Sequence, residues 1–140
     1  MSKLILYLMT WLIVGCVVTP ITATKLEDSK LREELAFQIL TYKMQPGNTF
    51  CLELSGITPS VTLNERLKQK DLDPENCIGD KYVLVTIDTF EEIGSDIYSA
   101  SYRYSCGKLC GAKYTCTFMK DPMRPNQPPF LRGCRMIVVY

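Results

Sequence analysis

Seven cysteines and no histidine bound the chemistry open to this 140-residue chain. The missing imidazole removes Ser-His-Asp and Cys-His nucleophilic catalysis, together with the commonest metal ligand. Hydrolysis by paired carboxylates is the enzymatic route left, and Glu33-Glu34 and Glu91-Glu92 are its adjacent pairs. Such a reaction needs two acids facing each other across a substrate, whereas neighbours in sequence on a helix or turn point apart. The chain is therefore read as a non-enzyme, with no catalytic residue and no cofactor assigned.

Six of the cysteines, Cys51, Cys77, Cys106, Cys110, Cys116 and Cys134, are spread through the last two thirds of the chain. Thiolates from Cys106, Cys110, Cys116 and Cys134 could in principle hold zinc. Structural zinc sites, however, repeat closely spaced Cys pairs in both halves, a pattern missing here. No Cys-x-x-Cys redox pair is present either. In an exported chain an even set of cysteines reads as a disulfide framework, and six of them allow about 15 connectivities.

Export is indicated by the N-terminus. Lys3 supplies a positive charge, and residues 4–18 are apolar apart from Thr10 before the run breaks at Thr19, Pro20 and Thr22. A membrane-spanning helix needs about 20 apolar residues, so this shorter stretch reads as a signal peptide and no stable span is expected. Ala23, with Ile21 two positions earlier, gives the best cleavage site, leaving residues 24–140 as one small secreted domain. The alternative lies in Ile13-Val14-Gly15-Cys16, which resembles the lipobox of bacterial lipoproteins, where the cysteine is lipidated. The residues after Cys16 are apolar rather than a polar tether, and six further cysteines are many for such a protein, so loss of Cys16 with the signal is the preferred reading. No Asn-x-Ser/Thr sequence occurs, and N-glycosylation is not expected.

Overall charge is near neutral, but its distribution is not. Residues 25–96 carry 8 Lys and Arg against 14 Asp and Glu, a balance of −6; residues 101–140 carry 7 basic residues against Asp121 alone, a balance of +6. Within the basic part, Tyr98, Tyr102, Arg103, Tyr104, Lys108, Lys113 and Tyr114, continued by Lys120, Arg124, Arg132 and Arg135, combine the residue types enriched at protein interfaces. This points to an extracellular binding protein, an effector, ligand or modulator, whose partner is a protein with acidic character; no nucleic acid is implied. Two rivals share the same residues. The Pro-rich loop 121–129, with Met123-Arg124 at its centre, could inhibit an extracellular enzyme, or the cations could hold a glycosaminoglycan or another polyanion. Against all three stands the plainer reading that the tyrosines pack under a helix while the basic residues keep an open face soluble.

The elements that must position these residues follow from periodicity. Thr24 and Glu27 have the spacing of a capping box, and Leu31, Leu35, Ile39 and Tyr42 recur at helical spacing up to the Pro46-Gly47 break. Residues 49–54 suggest an edge strand, and Thr62 with Glu65 a second cap opening a short helix through about Lys70. From residue 81 the period changes to two, giving strands over 81–90, 97–106, 113–120 and 131–140. The last of these carries Ile137, Val138 and Val139, too apolar for a fully solvated edge. The expected architecture is α+β: an N-terminal amphipathic helix packed on a four-stranded antiparallel sheet, stapled by disulfides. A hairpin centred near Pro125 sets Cys116 opposite Cys134, close enough for a bridge. For Cys51, Cys77, Cys106 and Cys110 the sequence leaves two local bridges and two long-range ones equally open.

Overall fold

The computed structural model describes residues 23–75, 77–79 and 82–139. Most of the expected signal segment, with Cys16 and its lipidation alternative, lies outside the described residues. Helix α1 runs over Ser29–Lys43, and its N-cap is Asp28, whose carboxylate accepts from the backbone N–H groups of Lys30 and Leu31. The helix thus starts later than the Thr24 and Glu27 spacing suggests, because Asp28 supplies a stronger acceptor for the open first turn. Thr24–Lys25 instead forms strand β1, in antiparallel register with Glu92 and Glu91. The helix stops at Met44, ahead of Pro46.

Strand β2 spans Cys51–Leu54 and is followed by helix α2, Val61–Gln69. Ser60 caps α2 by accepting from the Leu63 N–H, two residues earlier than the Thr62 start expected. The same serine donates from its backbone N–H and its hydroxyl to the Glu33 carboxylate. Arg66 donates to Glu34 at 2.8 Å, and its guanidinium lies 3.9 Å from the centre of the Phe37 ring. Both helices are thereby tied together through Glu33 and Glu34.

Strands β3 (Leu84–Gly94), β4 (Ile97–Ser105), β5 (Gly111–Met119) and β6 (Phe130–Val139) form an antiparallel meander. The sheet has six strands rather than four, because β1 and β2 both add to the outer edge of β3. Strand β2 runs parallel to β3, a pairing that requires the crossover supplied by α2. Among the described residues the architecture is α+β with a mostly antiparallel sheet, two helices and three disulfides. Cys116 bridges Cys134 across directly opposed positions of β5 and β6, as the hairpin geometry requires. The other two bridges are the local pair, Cys51 to Cys77 and Cys106 to Cys110. Three intramolecular disulfides fit an oxidising compartment. With every one of these sulfurs bonded, the zinc alternative loses its thiolates.

One apolar cluster takes Leu35, Ala36, Ile39 and Leu40 from α1, Leu63 and Leu67 from α2, and Val85, Ile87, Ala100, Tyr102, Cys116 and Phe118 from one face of the sheet. Arg32 is also buried; its guanidinium donates to the Ser55 carbonyl at 3.1 Å and lies 5.9 Å from the Phe90 ring centre, while Nε has no partner. Among the described residues no helix is long and apolar enough to cross a membrane.

Candidate protein-binding face

Strand alternation decides where each candidate residue goes. On β4, Tyr98, Ala100, Tyr102 and Tyr104 point to the core face, and Ser99, Ser101, Arg103 and Ser105 to the other. Tyr98 and Tyr102 are buried in the core cluster, and Tyr104 packs against it partly exposed. The Tyr102 hydroxyl donates to the Met44 sulfur at 3.4 Å, and its ring neighbours those of Tyr104 and Tyr114. Burial, with Tyr104 and Tyr114 beside it, pushes the Tyr102 hydroxyl well above the usual phenol range. Burial also raises Tyr98, reinforced by Glu92 and Asp96. Over Tyr114 lies the Lys43 ammonium, 3.5 Å from the ring centre. The tyrosines and the cations Arg103, Lys113 and Arg135, read as one motif along the chain, therefore belong to opposite faces of the sheet.

Of the candidate cations, three share the open face. Arg103 on β4 stands directly opposite Lys113 on β5, and one pair along, Thr115 stands opposite Arg135 on β6. Directly opposed side chains begin about 5 Å apart, so Arg103 and Lys113 repel each other unless an anion lies between or above them. Among the described residues none of the three cations is ion-paired. Around them the face is lined by the hydroxyls of Ser99, Ser101, Thr115 and Thr117. The acids on this face, Glu53, Asp88 and Glu91, sit on β2 and β3. One half of the face is therefore acidic and the other basic, mirroring the sequence asymmetry at the scale of a sheet.

The remaining candidates lie elsewhere. Lys108 is exposed in the turn closed by Cys106 and Cys110. Arg124 is in loop 121–129, with its Nε 3.9 Å from the Asp121 carboxylate. Arg132 is the extra residue of a bulge in β6, and its guanidinium lies 5.9 Å from the centre of the Phe130 ring. A cleft of about 710 Å³ lies between the two helices, but its Glu33, Glu34 and Arg66 are already engaged with protein groups.

An apolar edge completes this side of the molecule. Met136, Ile137, Val138 and Val139 are 51%, 53%, 44% and 67% exposed. They lie on β6, the terminal strand of the sheet. The run too apolar for a solvated edge is at a solvated edge. Comparison of the chain with family models, with curated proteins and with solved structures finds no match.

Proposed function

We propose that this chain is a small secreted, non-enzymatic binding protein that acts through protein–protein contact outside the cell, engaging an acidic partner with the basic half of its open sheet face. The observation that carries the reading is the cluster of Arg103, Lys113 and Arg135, set on three neighbouring strands without an acid among them. Like charges opposed across a sheet cost stability, and a docked anionic group offsets that cost. Arg135 adjoins the Cys116 to Cys134 bridge and Lys113 lies on the same bridged strand pair, and the bridge stiffens the strands that present them and lowers the ordering cost of binding.

The test is affinity capture from extracellular fluid with the domain 24–140 and its triple variant Arg103→Glu, Lys113→Glu, Arg135→Glu. A protein held by the parent and lost with the variant supports the proposal; equal capture by both overturns it. Retention of the parent on heparin that falls steeply between low and moderate salt would instead favour the polyanion reading, because exposed charges are screened within about 10 Å at 0.1 M salt.

Enzyme inhibition is favoured by a separate observation on loop 121–129. Both ends of this loop are anchored: Lys120 N–H donates to the Asp96 carbonyl, and the Gln38 carboxamide bonds both Pro129 O and Leu131 N–H at 2.7 Å. An exposed loop held at its base enters a cleft at low entropic cost. Inhibition abolished by Met123→Ala with Arg124→Ala, and untouched by the triple charge reversal, would select this reading.

A further inference from the structure

We infer that the open edge of the sheet, residues 133–139 of β6, is the docking site for a short extended strand of the partner protein, with an acidic side chain beside Arg135 and apolar side chains over Met136 and Val139. The inference rests on the reading of this molecule as a binder of proteins and adds where, and in what form, the partner is held.

The two edges of the sheet are treated differently. Beyond β2, the edge is closed: isolated bridges join Thr49 to Asp73 and Cys51 to Glu75, and the Cys51 to Cys77 disulfide clamps that covering segment in place. At β6 only the start is covered, where Gln38 occupies Pro129 O and Leu131 N–H as a neighbouring peptide group would. Among the described residues nothing bonds the outward-facing peptide groups of residues 133–139. An unpaired edge is a template for another strand, and proteins usually guard it with Lys, Pro or inward charges. Strand β6 contains neither Lys nor Pro.

What guards this edge also limits the occupant. Bulges place Arg132 and Ile137 as extra residues relative to β5, leaving residues 133–136 in unbroken register. A partner strand is thus short and gains its remaining area from the exposed side chains beyond Met136. Residues opposed across a sheet share a face, so a strand added outside β6 sets alternate side chains beside Arg135 on the open face and the rest beside Met136 and Val139 on the other. Arg135, backed by Lys113 and Arg103, calls for an acid. A second copy of this chain fits poorly, since it would bring its own Arg132 and Arg135 to the same seam.

The probes are ten-residue synthetic peptides of alternating valine and glutamate, of alternating valine and lysine, and of valine and glutamate N-methylated at alternate residues. Each is added to the intact disulfide-bonded domain, and amide hydrogen exchange is followed by NMR. The expected result is at least a tenfold slowing of exchange within residues 133–139 by the valine–glutamate peptide alone, with Arg135→Glu shifting the preference to the valine–lysine peptide. No slowing on β6, or equal slowing by the N-methylated peptide, overturns the inference. So does a concentration-dependent dimer of the domain alone that Val138→Lys dissolves, which would assign the edge to a second copy. If β6 stays silent while capture of a partner still depends on the three cations, the edge inference falls and the binding face stands.

Discussion

At the residue scale, the buried side chains that carry polar atoms are the most informative. Tyr102 is held under the helix by apolar contact and one weak bond to the Met44 sulfur. Its folded-state pKa is raised, chiefly by burial, so the stability it contributes is complete below the unfolded value of about 10 and is lost as pH rises beyond that. Tyr102→Phe is expected to cost under about 1 kcal/mol at neutral pH, because only that weak bond is lost. Above pH 10 it should unfold at higher urea than the parent, a crossing that urea titration at two pH values measures directly. Arg32 presents the opposite case. It is 7% exposed, and Asp88 and Glu91, which line the same 370 Å³ cavity, do not approach within ion-pairing distance. A buried cation costs several kcal/mol to desolvate, against about 2 kcal/mol from its hydrogen bond to the Ser55 carbonyl and a modest ring contact. Arg32→Met should therefore leave unfolding free energy within about 1 kcal/mol of the parent or raise it. A loss beyond 2 kcal/mol, on that same scale, would mean the guanidinium has a partner that its contacts do not reveal.

At the scale of elements, strength of periodicity separates what the chain discloses from what it hides. The meander β3 to β6 is legible because long stretches of each strand alternate, although bulges interrupt β3 and β6, and the same alternation yields the Cys116 to Cys134 pairing. Strands β1 and β2 have two and four residues, too few to show a period, and the parallel register of β2 depends on a crossover that no local pattern encodes. The caps illustrate competition between nearby signals: Asp28 and Ser60 win over Thr24 and Thr62, each by accepting from the first turn of its helix. At the candidate face, only Arg103, Lys113 and Arg135 of the cations singled out in sequence come together, and treating them with the tyrosines as one motif mixes two faces that alternation separates. Bridges differ in what they stabilise. Cys116 and Cys134, separated by 18 residues, join the two strands of the open edge, whereas Cys106 and Cys110, separated by 4, close an exposed turn. By loop entropy the first contributes about 3 kcal/mol and the second about 2 kcal/mol. In urea unfolding, Cys116→Ala with Cys134→Ala should lose more than Cys106→Ala with Cys110→Ala, and the reverse order would show that the turn, not the edge hairpin, organises the fold.

At the scale of the molecule, the acidic first part and basic last part of the chain fold into a single sheet whose open face keeps the division. Under the proposed export, the site of signal cleavage decides whether strand β1 stays on that sheet. Thr24 is the first residue of β1 and stands opposite Glu92. Cleavage after Ala23 keeps β1 intact, whereas a cut a few residues further on removes the strand that, with β2, covers the outer edge of β3. The protein recovered from its host's medium under the proposed export should therefore begin, by intact mass, at Thr24, with six cysteines alkylated only after reduction. A mass beginning beyond Lys25 would mean that β1 is dispensable and that a second sheet edge is open to pairing. A lipid-sized increment with Cys16 retained would tether the basic face to a membrane surface, where its nearest partners are the anionic headgroups beneath it rather than a protein in free solution.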